Sequence, residues 1–521
     1  MKYTSFFLTF AAWLLCSAAG HAEIFKEIEG KTVDGRQLYE AHLTLHPAPE
    51  PVPALKYKLI TDPAYQVDRN ANIHYLKAGG FFEEYPARSE LDKWEEKAKR
   101  LIESRDPKEQ AKSAFNWCDA APEELPLEDV KKMLKILRFQ ERELAKAEKC
   151  RYADFGHDNV FESKDPFGYM LPQIQSMRDL ARWQSVRYRV ALREGRLDDA
   201  IRILRQEYTM AKHLEQDLFL VSNLVGIAIS GINDENVLYI IQRPDCPSLY
   251  WAMAAIPRNW CDMDRSLSIE KRTMKTYFPY REKICNPDSH FPEEFWREYA
   301  LDFSQKFLHI FKAYYSWRES PLARNLNDRP LLLSASFVIA AYPKAKRYLI
   351  EDIGLDRKKV EAFPPVRVVG MAATFSVDHL LDMDSKLAVL PSDQASKWEE
   401  TVWTQKANTI KRLGLAGGLA QGLNSSVWMI LHRSVTRQQQ GFNIIQTLEA
   451  LRIYAYHHGG KLPESIENLD PPAQKDPFTD KHFSYRLEKD GKAILDAPWP
   501  WANHFRYVIT MKPVTEDKVR P

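Results

Sequence analysis

Two histidine pairs are the first side chains of this 521-residue chain whose types and spacing could do chemistry. His42 and His46 stand four residues apart, the spacing of the zinc ligands on a metalloprotease helix, which also carries a glutamate base. Here they flank alternating leucines with no glutamate, and on the predicted strand they would lie about 13 Å apart. His457 and His458 fall at a predicted helix end, where imidazoles interact with the last carbonyls. We expect no metal at the first pair and prefer the carbonyl role, over ligand duty, for the second.

Two pairs of aspartates have the spacing of calcium-loop ligands. They are Asp262 with Asp264 and Asp382 with Asp384, and neither continues with the glycine and the final glutamate of an EF-hand. We therefore expect solvated helix caps at both. A pair of carboxylates for glycoside hydrolysis stays open, because the separation of the two groups is a property of the folded chain.

The motifs of common nucleophilic and nucleotide-binding sites are missing. The sequence contains no G-x-S-x-G, no G-x-x-x-x-G-K-[ST] and no G-x-G-x-x-G after a strand. It also has no C-x-x-C, so its cysteines match no zinc pattern. We expect buried free thiols, with or without one bridge, and leave the pairing open. The five cysteines outside the N-terminal apolar segment are Cys118, Cys150, Cys246, Cys261 and Cys285.

The N-terminus predicts export. Lys2 precedes an apolar run over residues 6–15, and small residues lead to Ala22. This order predicts a signal peptide cleaved between Ala22 and Glu23. The alternatives are an uncleaved anchor and a lipoprotein at Cys16, although a leucine instead of a small residue precedes that cysteine. We expect a periplasmic or extracellular protein.

The composition of the mature chain excludes some partners. Without Lys2, 72 of the 73 basic side chains remain against 71 acidic ones, so the mature chain is close to neutral. A nucleic-acid partner would require a basic stripe, which is absent. No later stretch of the sequence is apolar enough to span a membrane. We expect a protein or an envelope component as the partner, and no cofactor.

Hydropathy periods divide the mature chain into three segments. Residues 23–88 read as an extended or β segment, with strands at 43–45 and 55–59 joined by a proline-rich connection. Residues 89–424 change to a helical period and predict an irregular helical array. Residues 425–521 predict a small α+β unit. The predicted fold class is mainly α.

One hairpin in the array resembles a tetratricopeptide repeat. Two helices are expected within residues 172–213, with the small residues of such a hairpin at Ala191, Gly195, Ala200 and Ala211. Glycine permits the left-handed residue at a helix end, and the alanines allow close helix approach. No 34-residue period follows, so plain helix packing is expected, with a peptide-binding groove as the alternative.

The C-terminal unit begins with a helix from Val427 to His457. Ile444, Leu448 and Leu451 form one apolar face, and Glu449 lies about 100° round the helix, where we expect solvent.

After this helix the sequence predicts a short helix from Pro463 through Leu469. A hairpin should follow, with strands at 484–487 and 493–495 around a type I′ turn at Asp490-Gly491, and then a third strand at 505–511.

Together these patterns resemble a large family of exported bacterial proteins of uncharacterised activity. The order of the C-terminal unit is similar to the globular part of a type II secretion pseudopilin. Because the long helix is internal here, the resemblance implies reuse of the module without pilus assembly. The stretches that carry the resemblance are REGRLDDAIRIL at 193–204, LYWAMAAIPR at 249–258, YPKAKRYLI at 342–350 and LEALRIYA at 448–455.

The leading functional hypothesis is therefore an exported, non-catalytic scaffold or binding protein of the cell envelope. No catalytic, cofactor-binding or metal-binding residue is assigned. The alternative is a hydrolase of envelope or extracellular polymer whose carboxylates come together only in the fold. Two facing carboxylates in a deep pocket would favour the hydrolase.

Overall fold

The computed structural model describes residues 24–80, 88–104, 110, 113–162, 171–258, 263–314, 330–423, 427–500 and 503–513. The fold is mainly α, as predicted. The chain divides into two compact units, each continuous in space and not in sequence. The described parts of Asp158–Met170 and Met263–Arg433 form the first, here named the helical unit. Those of Ser17–His157, Leu171–Asp262 and Ser434–Pro521 form the second, named the sheet unit.

The sheet unit opens with a hairpin whose second strand contains the strand predicted at residues 43–45, whereas its first strand was not predicted. Strands β1 (Phe25–Val33) and β2 (Arg36–Leu45) pair antiparallel through Asp34 and Gly35, whose φ angles are 50° and 75°. Two positive φ angles define the type I′ turn, which Asp-Gly favours. The strands and helices that follow are β3 (Val67–Asn70), α1 (Asn72–Ala78), α2 (Arg88–Ile102), α3 (Leu127–Ile136), α4 (Arg138–Ala147), β4 (Cys150–Tyr152), α5 (Pro172–Arg193), α6 (Leu197–Leu214), α7 (Leu220–Ile240) and α8 (Tyr250–Ala254).

The helical unit consists of helices within the described residues. The chain then returns to the sheet unit in the course of a long helix. In order, these helices are α9 (Met263–Tyr277), α10 (Arg281–Cys285), α11 (Glu293–Tyr314), α12 (Pro330–Glu351), α13 (Arg357–Ala362), α14 (Pro365–Ala388), α15 (Ser392–Leu413), α16 (Leu415–Leu423) and the long helix α17 (Val427–His457). The last strands are β5 (Lys475–Asp476), β6 (Lys481–His482), β7 (Ser484–Leu487), β8 (Ala493–Pro498) and β9 (Asn503–Met511).

The two ends of the chain share one five-stranded sheet. Its order is β1-β2-β9-β8-β7, with β2 and β9 parallel and the other pairs antiparallel. Phe25, Ala41, Tyr507 and Leu495 lie side by side across four strands, and all four are buried. This row of buried side chains lies on one apolar face of the sheet. On that face the rings of Phe25 and Tyr507 meet edge to face, with 5.1 Å between their centroids.

The strand predicted at residues 55–59 is wrong. The chain forms turns there, and Lys56 N–H donates to the Pro53 carbonyl at 2.9 Å. Leu59 is fully buried whereas Leu55 is 47% exposed, so the two leucines do not share the one face that a strand requires.

The helix predicted from Leu127 to Glu148 is interrupted at Leu137, between α3 and α4. Arg187 Nη2 donates to the Leu137 carbonyl at 3.0 Å, and Leu137 is almost fully buried. The buried guanidinium takes an oxygen that a continuous helix would use itself. The break therefore coincides with a contact from α5, which is distant in sequence.

The two helices predicted within residues 172–213 form as the hairpin of α5 and α6. Gly195 has a φ of 73°, and Ala191, Ala200 and Ala211 are completely buried. Helix α7 packs against both helices, and 16 of its 21 residues are buried. The described contacts therefore favour plain helix packing over an open peptide groove.

The strands of the C-terminal unit are confirmed, whereas two connections differ from the prediction. Residues 461–470 form turns instead of a short helix, and the Pro463 carbonyl accepts from Tyr485 Oη at 2.8 Å. The β7–β8 turn is not type I′, since only Gly491 of the predicted pair has a positive φ, 82°. Gly491 N–H donates to the Glu488 carbonyl at 3.0 Å, which makes a three-residue loop ending in a left-handed glycine.

Helix α17 ends before Gly459 and Gly460, as predicted, and its apolar face is buried. Glu449 is the exception to the predicted helix faces, because its side chain is as buried as that of Leu448. No helix in the described ranges is both long and apolar enough to cross a membrane.

Candidate binding pocket

The two histidine pairs do not form a shared binding site in the described residues. His42 is exposed on β2, and His46 lies just beyond the end of that strand. His458 Nδ1 lies 2.8 Å from the Tyr454 carbonyl, the helix-end role that the sequence predicts. Within the described residues, no three side chains of histidine, cysteine, aspartate or glutamate are grouped to hold a metal ion. Ala22 and Glu23, the expected cleavage site, lie outside those residues.

The expected helix caps at Asp382 and Asp384 are wrong, because both residues lie inside α14, and only the expected exposure of Asp382 to solvent is correct. Asp382 is exposed and pairs with Lys386 at 2.6 Å. Asp384 is buried, so the expected solvated cap is wrong there. Both its oxygens accept from Lys406 Nζ at 2.8 Å, and that side chain is only 4% exposed. Asp384 and Lys406 form a structural ion pair between α14 and α15. The side chains of Asp262 and Asp264 lie outside the described residues.

The described cysteines are free. Cys118, Cys150 and Cys246 are buried, Cys285 is partly exposed, and Cys261 lies outside the described residues. Burial raises the pKa of the Cys118 and Cys246 thiols to about 12 and that of Cys285 to about 11. A thiol must ionise to attack, so these groups are poor nucleophiles.

A histidine, an aspartate and a serine come together in the sheet unit without any motif in the sequence. His157 Nδ1 lies 2.8 Å from Asp217 Oδ1, and Ser222 Oγ donates to Asp217 Oδ2. A hydrolytic triad needs the imidazole between the acid and the hydroxyl, whereas here the carboxylate lies between them. All three are buried, and Gln173 occupies the other ring nitrogen of His157. The group therefore holds the fold together.

Two further carboxyl groups are enclosed by the helices of the sheet unit. Asp234 accepts from Tyr208 Oη at 2.8 Å and from Gln438 Nε2 at 2.7 Å, and Glu207 accepts from Asn236 Nδ2 at 3.3 Å. Burial raises the pKa of both carboxyls to about 8. Perturbed carboxyls can mark active sites, but a catalytic acid must also reach a substrate. These two face packed helices.

A pocket within the helical unit is the best candidate site. It lies among α9, α10, α11, α14 and α16, its cavity volume is about 50 Å³, and its mouth opens to solvent. Its wall is mainly apolar. The apolar lining residues are Met274, Phe278, Tyr299, Phe303, Phe307, Ala373, Val377 and Leu419.

Helix α11 supplies the aromatic side of this pocket. Tyr299, Phe303 and Phe307 recur every four residues, so they form one stripe along the helix. The rings of Phe303 and Phe307 stack with centroids 6.1 Å apart. Opposite, Gly370 of α14 makes room, because a Cβ there would lie 2.0 Å from Tyr299 Oη. The four-residue aromatic spacing was visible in the sequence, but only the fold shows that it faces a cavity.

Two cationic side chains complete the lining. Arg281 pairs with Asp378, and Lys306 pairs with Asp302 at 2.6 Å. Both cations are largely buried, at 16% and 14% exposure, whereas Asp378 is 47% exposed. Lys306 Nζ also lies 5.2 Å from the Tyr277 ring centroid. Among the described lining residues there is no carboxylate, and Tyr299 and Thr374 carry the hydroxyls.

The chemistry of this lining is suited to binding. Burial raises the pKa of the Tyr299 hydroxyl well above its ordinary value, so this group is a poor nucleophile at neutral pH. The aromatic stripe offers apolar contact, and the cations offer charge. Neither a protein-family model, nor a curated protein, nor a solved structure matches this chain.

Proposed function

We propose that this protein is an exported, non-catalytic binding protein of the cell envelope, and that the pocket of the helical unit is its binding site. The composition of the pocket carries this proposal. Its described lining combines an aromatic wall with two cationic side chains and contains no carboxylate. Such a lining can hold a small molecule by apolar contact and charge, but it lacks the acid and base that hydrolysis requires.

The hydrolase alternative has no specific observation in its favour. Glycoside hydrolysis needs two carboxyl groups on opposite sides of one cleft. Three carboxyls of the sheet unit with strongly raised pKa, Glu207, Asp234 and Glu215, are bonded to neighbouring side chains and are at most 10% exposed. We therefore retain binding as the function.

Two features support the cellular setting of the proposal. The apolar run over residues 6–15 and the small residues before Glu23 support export through a cleaved signal peptide. Helix α17, followed by the antiparallel strands β7, β8 and β9, supports reuse of a pseudopilin-like module as a structural part. An envelope partner is consistent with both.

Binding can be tested with phenylnaphthylamine, an uncharged fluorophore that brightens in apolar sites. We expect saturable binding of one molecule per mature chain. Val377→Trp should abolish it, because Val377 lines the pocket and an indole would fill the space. Val389→Trp is the matched control, since Val389 is 71% exposed on the same unit.

Fluorophore binding that Val377→Trp leaves unchanged would contradict the pocket assignment. Hydrolysis of a nitrophenyl ester that disappears in Val377→Trp and persists in Val389→Trp would overturn the non-catalytic proposal. Export is tested separately, by mass spectrometry of the protein recovered from cell fractions. We expect Glu23 as the first residue in the envelope or the medium, and an intact Met1 in that pool would refute cleavage.

A further inference from the structure

We propose that the ligand of this pocket is a small amphipathic anion, with its apolar body on the aromatic stripe of α11 and its carboxylate or sulfonate head at Arg281 and Lys306. This inference rests on the proposed function and adds the chemical class of the ligand. Three features carry this inference. The cation of each ion pair lines the pocket, the cations have hydrogen-bond donors to offer a ligand, and the wall beside them is apolar.

The ion pairs are arranged with their cations inward. Arg281 lines the pocket and is 16% exposed, whereas its partner Asp378 is not in the lining and is 47% exposed. Lys306 lines it at 14% exposure, and its partner Asp302, also outside the lining, is 26% exposed. A ligand inside the pocket would therefore contact both cationic side chains and neither of their aspartate partners.

The cations keep hydrogen-bonding capacity for a ligand. A guanidinium carries five N–H donors and an ammonium carries three, and Arg281 and Lys306 each pair with one aspartate. The charges lie where little water competes, so an anion at this place is attracted more strongly than at an exposed lysine. A cationic ligand would lie closer to Arg281 and Lys306, which line the pocket, than to their aspartate partners, which do not.

The rest of the wall requires an apolar body. Phe303 and Phe307 stack along one side, and Val377 and Leu419 contribute aliphatic surface. A fully hydrated anion such as phosphate would leave this apolar surface unused. A medium-chain carboxylate satisfies both parts, since its tail gains from burial and its head gains from charge.

The class can be tested with three ligands that differ only in the head group. Octanoate, octanol and octylammonium compete against bound phenylnaphthylamine on the full mature chain. We expect octanoate to bind about tenfold more tightly than octanol, the gain of one charge-assisted hydrogen bond. Octylammonium should bind more weakly than octanol.

Substitutions at Lys306, Arg281 and Asp378 test whether the two cations cause the preference for octanoate over octanol. Lys306→Gln and Arg281→Gln should each weaken octanoate binding about tenfold while octanol binding stays unchanged. Asp378→Asn should strengthen octanoate binding about threefold, because it removes the charge that competes for Arg281. Lys358→Gln is the control, since Lys358 is an exposed cation of the same unit outside the lining.

Each outcome is decisive. Equal affinity for octanoate and octanol, or weaker octanoate binding in Asp378→Asn, would overturn the anion preference while the binding function stands. If the fluorophore and all three octyl compounds fail to bind, the proposed function fails, and the ligand class fails with it. Should a glutamine variant not fold, Asp378→Asn and the head-group series still decide the question, because the exposed Asp378 is not part of the core.

Discussion

Arg452 Nη1 donates to Glu449 Oε1 at 2.6 Å in the interior of the sheet unit, where both side chains are fully buried. The other Glu449 oxygen accepts from Ser248 Oγ at 2.9 Å and from Leu249 N–H at 2.8 Å. Arg452 also donates to the Cys246 carbonyl at 2.8 Å. This network is satisfied on both sides, and it ties α17 to the loop before α8.

The first prediction concerns this ion pair. Glu449→Ala should lower the free energy of unfolding by about 3–5 kcal/mol, because it leaves the Arg452 guanidinium charged and unpaired in the interior. Leu448→Ala should cost about 2–5 kcal/mol through its cavity. Denaturant unfolding of the mature chain measures both.

Glu464→Ala provides the control for this comparison, as an exposed glutamate of the same unit that should cost under about 0.5 kcal/mol. A similarly small cost for Glu449→Ala would restore the solvated helix face that the sequence alone predicts.

The second prediction is a pH dependence from Asp234, whose pKa burial raises to about 8. The folded state holds this proton up to about pH 8, whereas the unfolded chain releases it near pH 4. The stabilising contribution is therefore complete below about pH 4 and is lost as the pH rises to about 8. Asp234→Asn, which cannot ionise, should become more stable relative to the parent over this window.

Unfolding free energies of the parent and of Asp234→Asn at matched pH values measure the effect. Asp490→Asn is the comparison, because Asp490 is exposed and its pKa is lowered by Lys492, not raised. A parent-minus-variant difference that stays flat from about pH 4 to about pH 8 would show that Asp234 is ionised in the fold.

The third prediction concerns the thiols. At about pH 8, iodoacetamide should label the native protein slowly at Cys118, Cys150 and Cys246, since these groups are buried and their pKa values are raised. Cys285 should be the first of the described thiols to react, because it is partly exposed. Peptide mass spectrometry with and without guanidinium identifies the labelled positions. Rapid native labelling of Cys246 would contradict the burial.

The fourth prediction tests the close contact that shapes the pocket. Gly370→Ala should destabilise the protein by about 1–3 kcal/mol, because the new Cβ would overlap Tyr299 Oη. The cost should fall in a Tyr299→Phe background, which lacks that oxygen. Thermal unfolding of the single and double variants gives the coupling.

Gly418→Ala on α16 has the opposite expected sign. No atom lies within 4 Å of a Cβ at this helical position, so alanine should stabilise the helix by up to about 1 kcal/mol. A neutral Gly370→Ala, with no coupling to Tyr299, would mean that α11 and α14 are farther apart than the structure has them.

Local sequence patterns were sufficient to predict much of the secondary structure. The helical period, the left-handed Gly195 between α5 and α6, and the Gly459-Gly460 end of α17 depend on neighbours in the chain, so the sequence determines them. The hairpin of β7 and β8 was predictable for the same reason. The two wrong helix predictions, after Pro463 and across Leu137, fall where a distant side chain donates to a backbone carbonyl: Tyr485 to that of Pro463 and Arg187 to that of Leu137.

Tertiary structure alone decided which groups became enclosed. The parallel pairing of β2 with β9 joins residues more than 450 positions apart, so no hydropathy pattern within either strand could predict it. Glu449 and Asp384 were expected at the surface because charged side chains are usually exposed to solvent. Each is instead buried and paired with a cation, Glu449 with Arg452 three residues away and Asp384 with Lys406 22 residues away. The pocket has the same origin. The spacing of its aromatic residues can be seen in the sequence of α11. The cavity, however, forms only because residues of other helices, among them Gly370 and Arg281, pack beside those aromatic residues.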